Sequence, residues 1–462
     1  MKRRLKVESM KSINRKLNLT DGSILKNLIL LSAPLMATSF INMAYNLTDT
    51  AWLGRLGTDA VAATGSVGYF VWMASSIADI ARVGTSVFVA QEYGSGHTKR
   101  LNDTIKNGLV LLFIVVGLFT SIIIGFTDNI LNFYSLTDQV HSMAKSYLTI
   151  FALGFIINGL NMTFSNIYNS VGNSFFPFVA NVMGLVLNIF VDPILIFGWG
   201  PIKSLGVSGA ALASVFAQLV VFIIFTVDII KSKNEIYTGI INGKIHLDNI
   251  YSKFKKGFPV GFMSFMHSSI TGILMKYMSN YGSGPIAAYS IGSMVESITW
   301  RTADGLQVGI TAFTGQNFGA KLYDRLKEVI KQSMAVIVAV GLIGTFIIGV
   351  FRYQLFKIFL PDDLRTIEMG AQYLLILSMS QLGMAFEIGA SGVFYGIGKT
   401  YIQSIISTVF NIARIPLSLI LMPYFEYQGV WLAITISSIF KGLFAFIFLR
   451  IEYRKLDREV SK

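Results

Sequence analysis

The chain has 462 residues, 53% of them hydrophobic and only 14% charged, with a mean hydropathy of +0.60. A soluble domain carries about 25% charged residues, so this composition excludes an ordinary water-soluble domain, a coiled coil and a disordered chain. The net charge of +13 would suit nucleic acid, but basic residues of membrane proteins gather in cytoplasmic loops, and the lack of cysteine excludes disulfides and thiolate-held metal centres.

A basic tail over 1–26 (Lys2, Arg3, Arg4, Lys6, Lys11, Arg15, Lys16, Lys26) precedes the first apolar run. No small-residue cleavage site follows a short apolar core, so this run is read as a retained helix and not a signal peptide. Apolar segments then follow at 28–54, 60–92, 105–127, 140–171, 175–198 and 207–230. After a polar linker over 231–252, six more lie at 253–280, 285–317, 328–351, 367–397, 401–424 and 427–450, and a polar tail closes the chain. The hydrophobic content, about 245 residues, is enough for on the order of twelve spans of ~20 residues. Lys and Arg number 26 on the side of the N-terminus and 5 on the other, so both termini are expected in the cytoplasm, which requires an even number of spans. The expected division is a cytoplasmic tail (1–26), a six-helix bundle (27–230), a cytoplasmic linker (231–252), a second bundle (253–452) and a cytoplasmic tail (453–462). The expected location is the plasma membrane, the inner one in a Gram-negative cell.

The two halves match each other. Pro34, Gly57, Asp79, Gly84, Gln91 and Gly94 pair with Pro259, Gly282, Asp304, Gly309, Gln316 and Gly319 at an offset of 225. Asn188, Pro193, Gly206 and Val207 pair with Asn411, Pro416, Gly429 and Val430 at 223. Such a period is the signature of an internal repeat. Six helices per repeat keep both halves in one membrane orientation, so the expected fold is an all-α polytopic membrane protein of twelve transmembrane helices. These would form two six-helix bundles related by a pseudo-twofold axis along the membrane normal, as in transporters.

On this doubled frame stand Pro34, Asn46-Leu47-Thr48-Asp49-Thr50, Gly54-Arg55-Leu56-Gly57, Gln91-Glu92-Tyr93-Gly94 and Asn188-Ile189-Phe190-Val191-Asp192-Pro193. Gly206-Val207-Ser208-Gly209-Ala210-Ala211 and Gly396-Ile397-Gly398-Lys399-Thr400 follow. The ordered set resembles the MATE (multidrug and toxic compound extrusion) family over residues 27–452. The resemblance implies two bundles around a V-shaped cavity and a secondary-active antiporter exporting amphipathic organic cations. It implies no cofactor beyond Na+ or H+ as coupling ion; the expected partners are small amphipathic molecules and membrane lipid, not nucleic acid. With the repeat in one chain, a monomer suffices.

Carboxylates inside spans are costly and mark function. Asp49 lies 15 residues past Pro34, a proline expected to bend the first helix, and is a candidate cation or proton site. Asn188 and Asp192, four apart, share one helical face. Two carboxylates with amide and hydroxyl oxygens make a hard-oxygen shell suited to sodium. The resemblance implies that Asp49, Asn188 and Asp192 line a cation site in the N-terminal half. Ser214 stands where family members often place a threonine, and Asn161 is a further candidate, although small polar residues are also routine helix–helix glue. Ile415 stands where Asp192 would be matched, so the cation site is expected in one half only.

Glu387 is the clearest acid of the C-terminal half, either for a cationic substrate or second proton, or as a partner of Arg414. Asp79 with Arg82, and Arg301 with Asp304, have the spacing of intrahelical ion pairs and are expected to serve structure or gating. The four histidines show no metal-ligand spacing. Gly398-Lys399-Thr400 imitates the end of a phosphate loop, but Val393 replaces the required first glycine and a helix precedes it, which excludes ATP-driven transport. Of competing classes, a flippase for a lipid-linked substrate should line its cavity with several arginines, whereas only Arg82, Arg301 and Arg414 lie well inside spans. An enzyme would need a nucleophile with a base, or a metal cluster, and the sequence offers neither.

Overall fold

In hydrocarbon a backbone must satisfy its own hydrogen bonds, which leaves helices or closed barrels, and the described residues of this chain are built from helices. The computed structural model describes residues 16–132, 136–201, 203–359 and 364–460. The basic residues Lys2, Arg3, Arg4, Lys6, Lys11 and Arg15 of the tail therefore lie outside the described residues. Those described form sixteen helices and no extended strand. They are α1 (Ile24–Leu56), α2 (Thr58–Gly94), α3 (Thr98–Gly125), α4 (Thr127–Asn132), α5 (Asp138–Ser170), α6 (Phe175–Phe197), α7 (Gly206–Ser232) and α8 (Glu235–Asn242). There follow α9 (Leu247–Ser279), α10 (Ser283–Gly319), α11 (Tyr323–Val350), α12 (Arg352–Lys357), α13 (Leu364–Ser378), α14 (Gln381–Gly396), α15 (Thr400–Phe425) and α16 (Gln428–Val460). The all-α polytopic fold is borne out.

Of the twelve expected spans, ten are single helices long and apolar enough to cross a membrane. An eleventh is the pair α13 and α14, bent by 51° between Ser378 and Gln381. The hydroxyls of Ser378 and Ser380 turn back onto the carbonyls of Leu375 (2.7 Å) and Leu377 (2.8 Å) at this break, and such local bonds compete with the helix ladder. The twelfth, α10, is a continuous helix of 37 residues. It carries Glu296, Arg301 and Asp304 along its length, and its composition is correspondingly less apolar.

The described residues fall into two compact units. The first holds Lys16, Leu17 and Ala37–Gly261; the second holds Asn18–Met36 and the chain from Phe262 on. Each repeat's opening helix changes unit along its length: α1 three residues after Pro34, and α9 three residues after Pro259. A proline inside a helix removes one ladder bond and kinks it, so the matched prolines mark the two crossing points.

Within the first unit, the early half of α9 lies backbone to backbone on α2. A Cβ added at Gly257 would sit 1.8 Å from the carbonyl oxygen of Ile80. Only a glycine permits this approach, the small-residue packing used between membrane helices. Gly257→Ala is expected to destabilise by about 1–3 kcal/mol or more through overpacking. Gly272→Ala, where a Cβ would meet nothing within 4 Å, should be neutral, and thermal unfolding of the two purified variants in one detergent reads the difference. The core of this unit gathers Phe164, Tyr168, Phe176 and Phe225 of α5, α6 and α7. The second unit is centred on Trp431 and Tyr373, edge to face with ring centroids 5.2 Å apart.

Candidate cation site

In the first unit α6 packs on α7, and α7 on α5. The approach of α6 to α7 depends on Gly209, where a Cβ would sit 2.4 Å from the carbonyl oxygen of Leu195. Five residues further along α7 is Ser214. On α6, Asn188 and Asp192 lie one turn apart and have no exposed surface. Asn188 donates from Nδ2 to Oδ1 of Asp192 at 3.1 Å. Pro193 follows immediately and cannot donate to the carbonyl of Ile189, so the ladder is interrupted beside the carboxylate.

The second half of α1 supplies Asp49. The hydroxyl of Ser214 donates to its Oδ2 at 3.1 Å, and its carboxyl group lies beside Asp192 and Asn188. Four of the sequence candidates, from three helices, thus meet at one point. Two residues that the sequence reading did not name join them: Tyr45 of α1 and Tyr147 of α5 stand in the electrostatic field of both carboxylates. Tyr45 was findable, because it precedes Asp49 by one turn on the same face; Tyr147 comes from another helix and left no such signal.

Several buried oxygens here face no donor: Oδ1 of Asp49, Oδ2 of Asp192, Oδ1 of Asn188 and the Tyr45 hydroxyl. Two carboxyl groups in contact inside a membrane cannot both carry an uncompensated charge. A proton held between them, or a cation, resolves the conflict. Among the described residues no group of three His, Asp or Glu side chains is placed to hold a metal ion. The cluster instead offers oxygens only, from two carboxylates, an amide and a hydroxyl, which is the chemistry of hard cations.

The remaining candidates have other partners. Asn161 donates to the side-chain oxygen (2.9 Å) and the carbonyl (2.8 Å) of Gln218, joining α5 to α7. Glu387 is buried in the second unit, where its Oε2 pairs with Lys441 of α16 at 3.0 Å. Its Oε1 accepts from Gln403 at 2.8 Å and from the Ser407 hydroxyl. Its ion partner is therefore Lys441 and not Arg414. Arg82 donates from Nε to Asp79 at 2.7 Å, the pair expected from their spacing. Arg301 stacks on Trp300, 4.5 Å from the ring centroid, within the field of Asp304. Lys399, of the segment that imitates a phosphate loop, is ion-paired with Glu452.

The sequence profile of the MatE family matches residues 34–194 and again 259–420, one copy beginning at each of the matched prolines. The chain is 27% identical over 433 residues to the probable multidrug resistance protein NorM of Thermotoga maritima, covering 92% of each chain. It is 25% identical over 417 residues to the probable multidrug resistance protein YoeA of Bacillus subtilis, covering 88% of this chain and 90% of that one. Its fold matches a solved structure described as the outward-facing conformation of a multidrug resistance MATE family transporter of the MOP superfamily. That match has a TM-score of 0.87 at 20% identity and covers 95% of this chain and 98% of the other; at that identity the likeness speaks for the fold alone. With both halves matched by the same profile and the doubled helical frame present, this chain belongs to the MatE family.

Proposed function

We propose that the protein is a secondary-active antiporter of the cell membrane, with both termini in the cytoplasm, that exports amphipathic organic compounds, cations foremost, in exchange for Na+ or H+. The observation that carries this reading is the buried contact of Asp49 with Asp192, completed by Asn188 and Ser214 and lined by oxygens without donors. Family membership and relatives named as probable multidrug resistance proteins support the same direction. In the mechanism, the coupling ion binds at Asp49 and Asp192 and relieves their repulsion, which favours one arrangement of the transporter. Substrate favours the other, and the difference in affinity between arrangements couples the two flows.

Glu387 would accept a cationic substrate or a second proton only by releasing Lys441. A flippase for a lipid-linked substrate gains no support, because Arg82 is taken up by Asp79 and Arg301 stacks on Trp300.

The test is ethidium efflux from proteoliposomes under an imposed sodium gradient or an imposed proton gradient. Efflux that follows one gradient establishes antiport and names the ion; efflux indifferent to both would overturn the reading. A graded version uses Ser214→Ala, which removes one neutral donor to a charged group. It is expected to raise the ion concentration for half-maximal efflux about ten- to hundredfold, in line with ~1.5–3 kcal/mol for a bond to a charged group, without lowering the maximal rate.

A further inference from the structure

The internal repeat allows the two units to be compared position by position. Ser437 and Asn411 stand 223 residues after Ser214 and Asn188, and Tyr373 stands 226 after Tyr147. The second unit therefore repeats the hydroxyl, the amide and the phenol of the cation site. It does not repeat the acids: Leu274 matches Asp49 and Ile415 matches Asp192. Beside Ile415 stands Arg414, only 6% exposed, which donates from Nε to the Ser437 hydroxyl at 2.8 Å and from Nη2 to that of Ser438 at 3.1 Å. The hydroxyl that serves a carboxylate in the first unit serves a guanidinium in the second. Two more nitrogen-bearing side chains close in: Lys441, 7% exposed, and His267 of α9, beside Asn411 and within the field of both cations.

A buried guanidinium without a counter-ion is unstable, yet among the described residues Arg414 makes no direct ion pair. Glu387 is committed to Lys441, Gln403 and Ser407, and Glu296 accepts from Gln381 at 3.5 Å. Both acids reach Arg414 only through space. The two serines use two of its five N–H donors, and a planar guanidinium edge is the shape that receives a carboxylate or phosphate by two parallel bonds.

We propose that the second unit carries an anion-recognition site at Arg414, where the carboxylate or phosphate group of an amphiphilic substrate docks on the guanidinium. The inference rests on the export reading for its purpose, widening the substrates to compounds with an anionic end. Its geometry is independent of the ion site.

The experiment uses the full chain in nanodiscs, with empty discs as the baseline, and two fluorescent probes that differ in one charge: dansylglycine and dansylglycinamide. The carboxylate is expected to bind at least about tenfold more tightly, the weight of a charge-assisted bond. Benzoate or phenyl phosphate should displace it, and benzamide should not. Arg414→Gln should erase the preference, Arg414→Lys should keep part of it, and Asp49→Asn should leave it intact. Equal affinity of the two probes in the unaltered protein, or a preference that survives Arg414→Gln, would overturn the proposal. The first criterion needs no variant to fold. No gradient is involved, so failure of antiport and failure of anion binding are separate results.

Discussion

Asp49→Asn is expected to abolish gradient-driven ethidium efflux while the protein remains folded. The amide has nearly the carboxylate's shape and keeps an oxygen for the Ser214 hydroxyl, which donates to Asp49 at 3.1 Å. What it loses is the charge that holds an ion, and the ability to take up a proton. A bond to a charged group is worth about 1.5–3 kcal/mol, so ion affinity should fall about ten- to hundredfold from that bond alone. The consequence for transport is larger. Swinging a two-state protein from 1:99 to 99:1 takes a discrimination of about 10⁴, or ~5.5 kcal/mol, between the arrangements. The single carboxylate that remains has no second charge beside it whose repulsion an ion would relieve, so it cannot supply that discrimination. Asp192→Asn should behave alike, because in the proposed mechanism the two carboxyls share one ion, and the double variant should be no worse than either single one. Initial rates in proteoliposomes, normalised to inserted protein, give the comparison. A rate within twofold of the unaltered protein would remove Asp49 from the coupling role.

The second large effect is on stability. Lys441→Met is expected to destabilise the protein by about 3–5 kcal/mol, because it leaves Glu387 charged and buried without its counter-ion. The carboxylate pairs with Lys441 at 3.0 Å, and both side chains are almost wholly enclosed. The repeat supplies the rescue. Glu387 stands 226 residues after Asn161 and Lys441 stands 223 after Gln218, and the first unit joins those two positions by an amide pair at 2.9 Å. Installing that pair, with Glu387→Asn and Lys441→Gln together, should recover most of the loss, since neutral hydrogen-bonded partners carry no ionic desolvation cost. Thermal unfolding of the purified single and double variants in detergent checks this. A double variant no more stable than Lys441→Met would mean that the ion pair, and not mere matching of partners, holds α14 to α16.

Much of this was legible in the residues. Span length and apolarity are local properties of the chain, and a repeat is visible wherever two stretches keep one register. The helical frame, the doubling at Pro34 and Pro259 and the MatE resemblance could therefore be read directly. Asp49 and Asp192 stood out because a carboxylate in an apolar run has few reasons to be there, and Asn188 because it shares a face with Asp192. Partners from other helices were not legible. Asp49 and Ser214 are 165 residues apart, and no local rule joins them; Tyr147 reached the same cluster only through packing of α5. Nothing local in the chain joined Lys441 to Glu387 before α14 and α16 brought them together, or the Asn161 amide nitrogen to Gln218. The sequence by itself determined that the chain crosses a bilayer many times as helices and which side chains are costly there, since both follow from composition along one dimension. Only the tertiary structure decided which of those side chains compensate each other, because a buried charge is settled by whatever lies within about 4 Å of it in space.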